Sequence, residues 1–406
     1  MVRAVSGRRS GEKRRAAGEQ IPSVKVGQIR RRLAGGASLA GALEDKGDDV
    51  LFTSQLDRLA RMVRYELLGA GSTITPLLED PRTTDVLVNG ANGVWVDQGG
   101  GLVRVEAEDP QLASEAGVRA LAVRMAAACG QRLDDSSPIV DGTFESGVRL
   151  HALIPPLAAE GTVISLRTHR SHVLSMEELV GSGTLVPELA PLVRALVDRR
   201  ANVIISGSTG AGKTTFLNSM LSLVPSDERI VIIEEAAELA PAHEHVVHLQ
   251  VRRANVQGVG EISMSELVKA AMRMRPDRLV LGECRGAEVR DVLGALNTGH
   301  DGGWATIHAN SAADVPARLV ALGALAHMNE ATVAAQAAAA LDAVIHVKRE
   351  HARRFVSQIA VMERDGGELR CPPAFEVAAE GDRPRVRVRE RARGLCERLG
   401  VEVPLG

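Results

Sequence analysis

The run Gly207-Ser208-Thr209-Gly210-Ala211-Gly212-Lys213-Thr214, continued by Thr215, has the residue types and spacing for phosphate chemistry. It fits the pattern G-x-x-x-x-G-K-[ST] in full, between an apolar run ending at Ser206 and a helical pattern beginning at Lys213. The glycines let backbone N–H groups turn inward around phosphate oxygens, and the helix N-terminus adds partial positive charge. Lys213 supplies a compact ammonium for the β- and γ-phosphates, and the Thr214 hydroxyl suits Mg²⁺. ATP and Mg²⁺ are therefore the expected ligands. Residue frequencies in this chain predict roughly 0.006 chance matches to the pattern, so a plain glycine-rich turn is a poor explanation. The chain has only 6 lysines against 43 arginines, and Lys213 is the only lysine between Lys46 and Lys269. A planar guanidinium would not replace it well at this place.

Further candidates lie on both sides of this loop. Glu234, Glu235 and Glu238 follow one apolar run, and Glu283 follows another. A carboxylate at the end of a buried strand beside the γ-phosphate can orient and polarise the attacking water. His300 and His308 flank a third run, with no nearby cysteine or third histidine to complete a metal site. Arg149 and Arg167 sit upstream on two short β-type runs. Alternation puts each guanidinium on the face opposite its apolar neighbours.

The elements that must position these residues divide the chain into segments. Residues 1–27 are polar and basic, an arm. Over 28–70, apolar residues recur at mostly helical spacing. Short strands and Asn-Gly turns over 71–170, with a helix expected from Gln111 to Cys129, imply a smaller α+β domain. Residues 171–186, with Ser171, Ser175, Gly181, Ser182 and Gly183, read as a linker. From 187 to 363, apolar strands at Val203–Ile205, Ile230–Ile233, Val246–Leu249, Leu279–Leu281 and Ala305–Ile307 alternate with helices. That is the pattern of a mostly parallel sheet covered on both faces. Residues 364–406, with alternating arginines from Arg383 to Arg393, form a tail of no assigned structure.

Four segments at fixed intervals from the P-loop carry a family resemblance. They are Ile233-Glu-Glu-Ala-Ala-Glu238, Arg275-Pro-Asp-Arg-Leu-Val-Leu-Gly-Glu283-Cys-Arg285-Gly, Asn297-Thr-Gly-His300 through His308-Ala-Asn-Ser, and Arg149-Leu-His-Ala-Leu-Ile-Pro-Pro156 with Ile164-Ser-Leu-Arg167. The chain resembles the type II/type IV secretion ATPases from about Ile74 to Met362, and most closely the CpaF/TadA branch that drives Flp-type (tight-adherence) pili. The resemblance implies an α/β fold: a RecA-like P-loop domain preceded by a smaller α+β domain and an N-terminal helical segment. It implies that Glu283 is the glutamate of an atypical Walker B motif, with Gly282 in place of aspartate. It further implies that Glu238 assists metal or water within an acidic box containing Glu234 and Glu235, that His300 and His308 form a box sensing nucleotide state, and that Arg149 and Arg167 reach the phosphates. Relatives usually carry Glu-Asp where this chain has Glu234-Glu235. Phe144-Glu-Ser-Gly147 and Trp304 also depart from the family pattern. The implied assembly is a homo-oligomeric ring, a hexamer, acting on an inner-membrane platform protein of a pilus or secretion system.

Composition narrows the setting. Over 406 residues, 45% are hydrophobic and 25% charged, ordinary for a globular chain. No window reaches the ~18 uninterrupted apolar residues of a membrane helix, and no secretory signal follows the basic start. Four scattered cysteines read as reduced thiols, not as a disulfide framework or a zinc site. A cytoplasmic protein is the expectation, and the family resemblance implies one peripheral to the inner face of the membrane. Residues 1–33 hold ten Lys/Arg against Glu12 and Glu19, a possible contact for an anionic membrane surface or nucleic acid. Two other classes compete with a pilus motor: a conjugation or DNA-translocation ATPase, and a regulatory nucleotide-binding protein that never turns over.

Overall fold

A computed structural model describes residues 70–404 except 107–108, 145, 169–172, 253–258, 351–352 and 381–382. The basic arm and the helical pattern over 28–69 lie outside the described residues. The chain divides into two compact units, Met1–Thr168 and His169–Gly406.

Among the described residues, the first unit contains helix α1 (Gly71–Glu79), followed by β1 (Asp85–Asn89), β2 (Val94–Asp97), β3 (Leu102–Val105), α2 (Glu115–Ala128), β4 (Ile139–Thr143), β5 (Arg149–Leu153) and β6 (Val163–Arg167). The six strands form one sheet in the order β3-β2-β1-β6-β5-β4, with every neighbour antiparallel. Period-2 alternation buries Val86, Val88, Leu150, Ala152, Ile164 and Leu166 against Val118, Leu121 and Met125 of α2. The expected helix from Gln111 to Cys129 is split in two. Asp109 caps a 3₁₀ turn at Pro110–Ala113, and Ser114 then caps α2 by accepting from the Gly117 N–H. Two successive cap residues offer the backbone an alternative to one continuous helix.

The second unit begins with α3 (Met176–Gly181) and α4 (Ala190–Asp198). The expected linker over 171–186 thus contains a helix. Ser175 and Glu178 form a reciprocal capping box, and Leu179, Leu185 and Val186 are buried in the core. Of the residues that suggested a linker, Ser175 and Ser182 are the caps of α3, Gly181 is its last residue, and Gly183 takes a positive φ just after it. There follow β7 (Val203–Gly207), α5 (Lys213–Leu221), β8 (Ile230–Glu234), β9 (Val246–Gln250), α6 (Met264–Ala271), β10 (Arg278–Leu281), α7 (Val289–Leu296), β11 (Trp304–His308), α8 (Val315–Leu325), α9 (Glu330–Ala340), β12 (Ala343–Glu350) and β13 (Arg353–Ala360).

The large sheet runs β13-β12-β7-β11-β10-β8-β9, continued beyond β13 by two later strands. From β12 to β9 every pairing is parallel. Alternate residues of each central strand feed opposite cores. Val203, Ile205, Ile230 and Ile232 pack with α4 and α5, while Ile204, Val231 and Ile233 pack with α6 to α9. Burial on both faces is why these strands read as unbroken apolar runs. Phe216 on α5 is 1% exposed, and burying a side chain of that size contributes about 1.5–3 kcal/mol.

Part of the segment over 364–406 joins this sheet as two further strands beside β13. After the β14 (Glu363–Asp365) and β15 (Glu368–Arg370) hairpin, β16 (Pro373–Glu380) and β17 (Arg383–Val388) extend it antiparallel, and α10 (Ala392–Leu399) packs its Leu395, Cys396 and Leu399 into the core. Among the described residues, no helix is long and apolar enough to cross a membrane.

Candidate nucleotide and catalytic site

Parallel pairing gathers the chemistry at one edge of the sheet. His308 is in register with Gly207, and Leu281 with both Ala305 and Ile233. The C-terminal ends of β7, β8, β10 and β11 therefore lie side by side, the edge where ligands bind in open α/β sheets.

The loop between β7 and α5 has the conformation its glycines allow. Gly210 and Gly212 take φ values of +71° and +98°, and Gly212 is the N-cap of α5. A Cβ on Gly207 would fall 2.3 Å from the Val347 carbonyl oxygen, so β12 approaches too closely for any side chain there. Lys213 is 7% exposed, and its Nζ donates to the carbonyls of Gly207 (2.9 Å) and Ser208 (3.0 Å). Ser208, Thr209 and Gly210 are exposed at the loop's crest, Ala211 is buried, and Thr214 and Thr215 begin the helix.

Glu283 stands just past the end of β10. Its Oε1 lies 3.0 Å from His308 Nε2, while His308 Nδ1 lies 3.5 Å from Lys213 Nζ. A neutral imidazole protonated on Nε2 satisfies both contacts, donating to Glu283 and accepting from Lys213. Burial lowers the His308 pKa, as does the Lys213 charge, with Glu283 opposing them, so the neutral form is the one expected near pH 7. Burial alone would raise the Glu283 carboxyl. The hydrogen bond and charge of Arg285, with His308 and Lys213, outweigh it and hold Glu283 below its ordinary value. Burial pulls the Lys213 ammonium down, against the attraction of Glu283 and Glu238.

The acidic box separates into different tasks. Glu234 is 4% exposed, and its Oε1 accepts the backbone N–H groups of Glu238 and Leu239, both at 3.0 Å. That oxygen shapes the loop after β8. A Cβ on Gly282 would sit 2.7 Å from Glu234 Cγ. The buried glutamate thus fills the space that a side chain at 282 would need, which accounts physically for glycine before Glu283. Thr306 Oγ1 donates to the Gly282 carbonyl at 2.7 Å and fixes the turn. Glu235 is exposed and meets Arg285, with Nη1 to Oε2 at 3.3 Å. Glu238 is close enough to Lys213 to influence its charge.

His300 is not brought to the cradle. It precedes β11 while His308 ends it, so roughly 13 Å of strand separates them. His300 Nδ1 instead contacts the Ala295 carbonyl at 3.3 Å. The two arginines belong to the first unit, where Arg149 and Arg167 are directly opposite each other on β5 and β6 and share one face. Arg167 Nε also reaches Asp85 Oδ1 at 3.2 Å.

Several residues at the site carried no assigned role in the sequence. Arg285 lay within a quoted motif, and its i+2 spacing from Glu283 on extended chain was the available signal. Arg354 of β13 donates from Nε to the Gly210 carbonyl at 3.0 Å, and its Cδ would be 3.2 Å from a Cβ on Gly212. Nothing local marks a contact made across 144 residues.

Among the described residues, no group of three His, Cys, Asp or Glu side chains is arranged to hold a metal. Magnesium seldom uses an all-protein cage, and takes most of its ligands from phosphates and water. The cradle fits that chemistry, with Thr214 and Glu238 as the side chains that would complete it. Glu234 does not, because Oε1 is committed to two backbone N–H groups.

Fold and site together define a P-loop nucleotide-binding protein of RecA-like architecture, with a carboxylate poised beside the phosphate cradle. The profile described as "Type II/IV secretion system protein" matches residues 69–392. The chain belongs to that family, the secretion ATPases its sequence resembles. A Mycobacterium tuberculosis protein named for conjugal transfer is 49% identical over 318 residues, covering 77% of this chain and 89% of the relative. Conjugal transfer protein TrbB of Rhizobium radiobacter is 30% identical over 315 residues, covering 76% and 93%. A crystal structure of the pilus retraction motor PilT with bound ADP shares the fold, with a TM-score of 0.51 and 20% sequence identity over 81% of this chain and 86% of that one.

Proposed function

We propose that this chain is the ATP-hydrolysing motor of a conjugation-type secretion apparatus, working as a homo-oligomeric ring, a hexamer, in the cytoplasm against the membrane-embedded platform of that apparatus. The observation that carries this reading is the 49% identity to a protein named for conjugal transfer, alongside the likeness to TrbB. The tight-adherence pilus motor implied by the motifs is the second reading, supported by the ordered set around Glu283 and His308. Deleting the gene from its host separates the two. The conjugation reading predicts at least ~100-fold loss of DNA transfer, restored by the wild-type gene and not by one encoding Glu283→Gln. Intact transfer with loss of surface pili would favour the pilus motor instead.

In the proposed reaction, the triphosphate of MgATP enters the cradle, and Lys213 exchanges its two carbonyl partners for phosphate oxygens. Glu283 orients a water and takes its proton as the water oxygen attacks the γ-phosphorus and the bond to ADP breaks. Magnesium, when bound, neutralises charge on the phosphates. Neutral His308 bridges Lys213 and Glu283, so a change at the γ-phosphate reaches the carboxylate through one ring.

Arg149 and Arg167 are proposed to complete the site when the first unit closes over the nucleotide. They are cross-strand partners on one face, and an arginine freed from a contact such as that of Arg167 with Asp85 is a suitable partner for a transferring phosphoryl group. Arg167→Ala should then lower kcat at least ~10-fold with a modest change in KM and no loss of folding, since an arginine acting on that charge is worth ~10³–10⁵ in other NTPases. An arginine serving only the surface would change neither constant by more than about twofold. Steady-state kinetics of Arg149→Ala, Arg167→Ala and the double variant decide the matter. Near-wild-type kcat in all three removes both from the site.

A further inference from the structure

Both oxygens of the Glu283 carboxylate are already engaged. Arg285 Nε lies 2.7 Å from Oε1 and Arg285 Nη2 lies 2.7 Å from Oε2, a two-point fork. His308 Nε2 shares Oε1 at 3.0 Å. A general base needs a lone pair directed at its water, and three of the roughly four lone-pair sites of this carboxylate already face protein donors, two on Oε1 and one on Oε2. A second acceptor stands within reach of the same guanidinium, since Arg285 Nη1 lies 3.3 Å from Glu235 Oε2. Arg285 and Glu235 are each 56% exposed, so neither partner is held by packing. The guanidinium itself stays in solvent as it moves, although Glu283 is only 21% exposed, so release from the fork exchanges a partly buried partner for an exposed one.

We infer that Arg285 is a positioning residue that gates Glu283. Forked onto Glu283, it withholds the carboxylate; shifted onto Glu235, it releases the carboxylate to orient the attacking water. The inference rests on the ATPase reading above and deepens it. Arg285 changes partners without transferring a proton. In the hydrolytic step the water oxygen bonds to the γ-phosphorus, the bond to the ADP oxygen breaks, and the water proton passes to Glu283. Glu235, which the sequence grouped with metal- and water-binding carboxylates, acts here as the resting place of the released guanidinium. Its longer reach from the loop after β8 delivers Oε2 to Arg285.

The test is a double-variant cycle on the full chain, with phosphate release measured over a range of MgATP concentrations. Glu235→Gln should lower kcat about fivefold with KM unchanged, because the amide keeps an acceptor oxygen but loses the charge that draws Arg285 away from Glu283. Arg285→Ala should raise kcat at least twofold, because Glu283 is then free. Adding Glu235→Gln to Arg285→Ala should change nothing further. Arg285→Lys, which keeps one charged contact and loses the fork, should fall between wild type and Arg285→Ala, and it serves in place of Arg285→Ala if that variant does not fold. The gate is overturned if kcat of Arg285→Ala, or of its lysine substitute, is at or below wild type. It is equally overturned if Glu235→Gln lowers kcat by the same factor in both backgrounds, since Glu235 would then act independently of Arg285. Absence of turnover in the wild type would overturn the ATPase reading itself, whereas an active wild type with slowed Arg285 variants rejects only the gate.

Discussion

Lys213→Ala is expected to weaken MgATP binding by at least ~100-fold while leaving the fold intact. The ammonium is 7% exposed and costs free energy to bury, as its lowered pKa records. In this state it contacts two loop carbonyls and a neutral imidazole. These contacts position the charge but do not tie together distant elements of the core, so removing it leaves the two apolar cores untouched. What is lost is the compact cation facing the phosphates, and charge-assisted contacts of that kind are roughly twice as strong as neutral ones. Lys213→Arg should fail almost as badly, because a planar guanidinium has neither the size nor the point-charge geometry of the loop's interior. Titration with a fluorescent ATP analogue, paired with thermal melts, checks this. Binding within about threefold of wild type in a folded Lys213→Ala protein would remove the loop from nucleotide recognition.

Glu283→Gln is expected to separate binding from chemistry. The amide keeps the shape of the carboxylate but cannot accept a proton. ATP affinity should stay within a few-fold of wild type, while kcat falls by roughly 10²–10⁴, the usual contribution of a positioned general base. The amide also puts an N–H donor where the Arg285 fork had its second acceptor oxygen, while its remaining oxygen can still accept from His308, so the variant tests the base and not the gate. Wild-type turnover in Glu283→Gln would move the catalytic carboxylate elsewhere, with Glu238 the next candidate beside Lys213.

Much of this site was legible because its signals are local. The glycine spacing before Lys213 and the apolar runs before Glu234, Glu283 and His308 specify a loop and three strand ends. Parallel pairing then has few ways to arrange them other than at one edge. The rest depended on contacts that no local pattern encodes. Glu234 reads like its neighbours Glu235 and Glu238, yet the register of Ile233 with Leu281 puts it beneath Gly282, where backbone N–H groups claim it. His300 belongs to the same sequence box as His308, but the five residues of β11 carry them to opposite ends of the sheet.

The face shared by Arg149 and Arg167 could be inferred from alternation, but their being directly opposite required the β5–β6 register. In the C-terminal segment, the arginines of β17 drew attention away from Pro384, Val386 and Val388 between them. That period of two is a strand signal, and Val386 is buried. At Ser175, linker-like residues turned out to be a helix cap, because serine serves equally in a cap and a loop.

The central claim is that this chain hydrolyses ATP and does not merely bind it. The most direct measurement is continuous phosphate release by the wild-type protein in MgATP, alongside Glu283→Gln at the same nucleotide occupancy. The account predicts sustained, multiple-turnover release by the wild type and a rate at least ~100-fold lower for the variant. Stoichiometric binding of MgATP by a fully folded wild-type protein, with release no faster than that of Glu283→Gln, would contradict it and leave a nucleotide-binding protein that does not turn over.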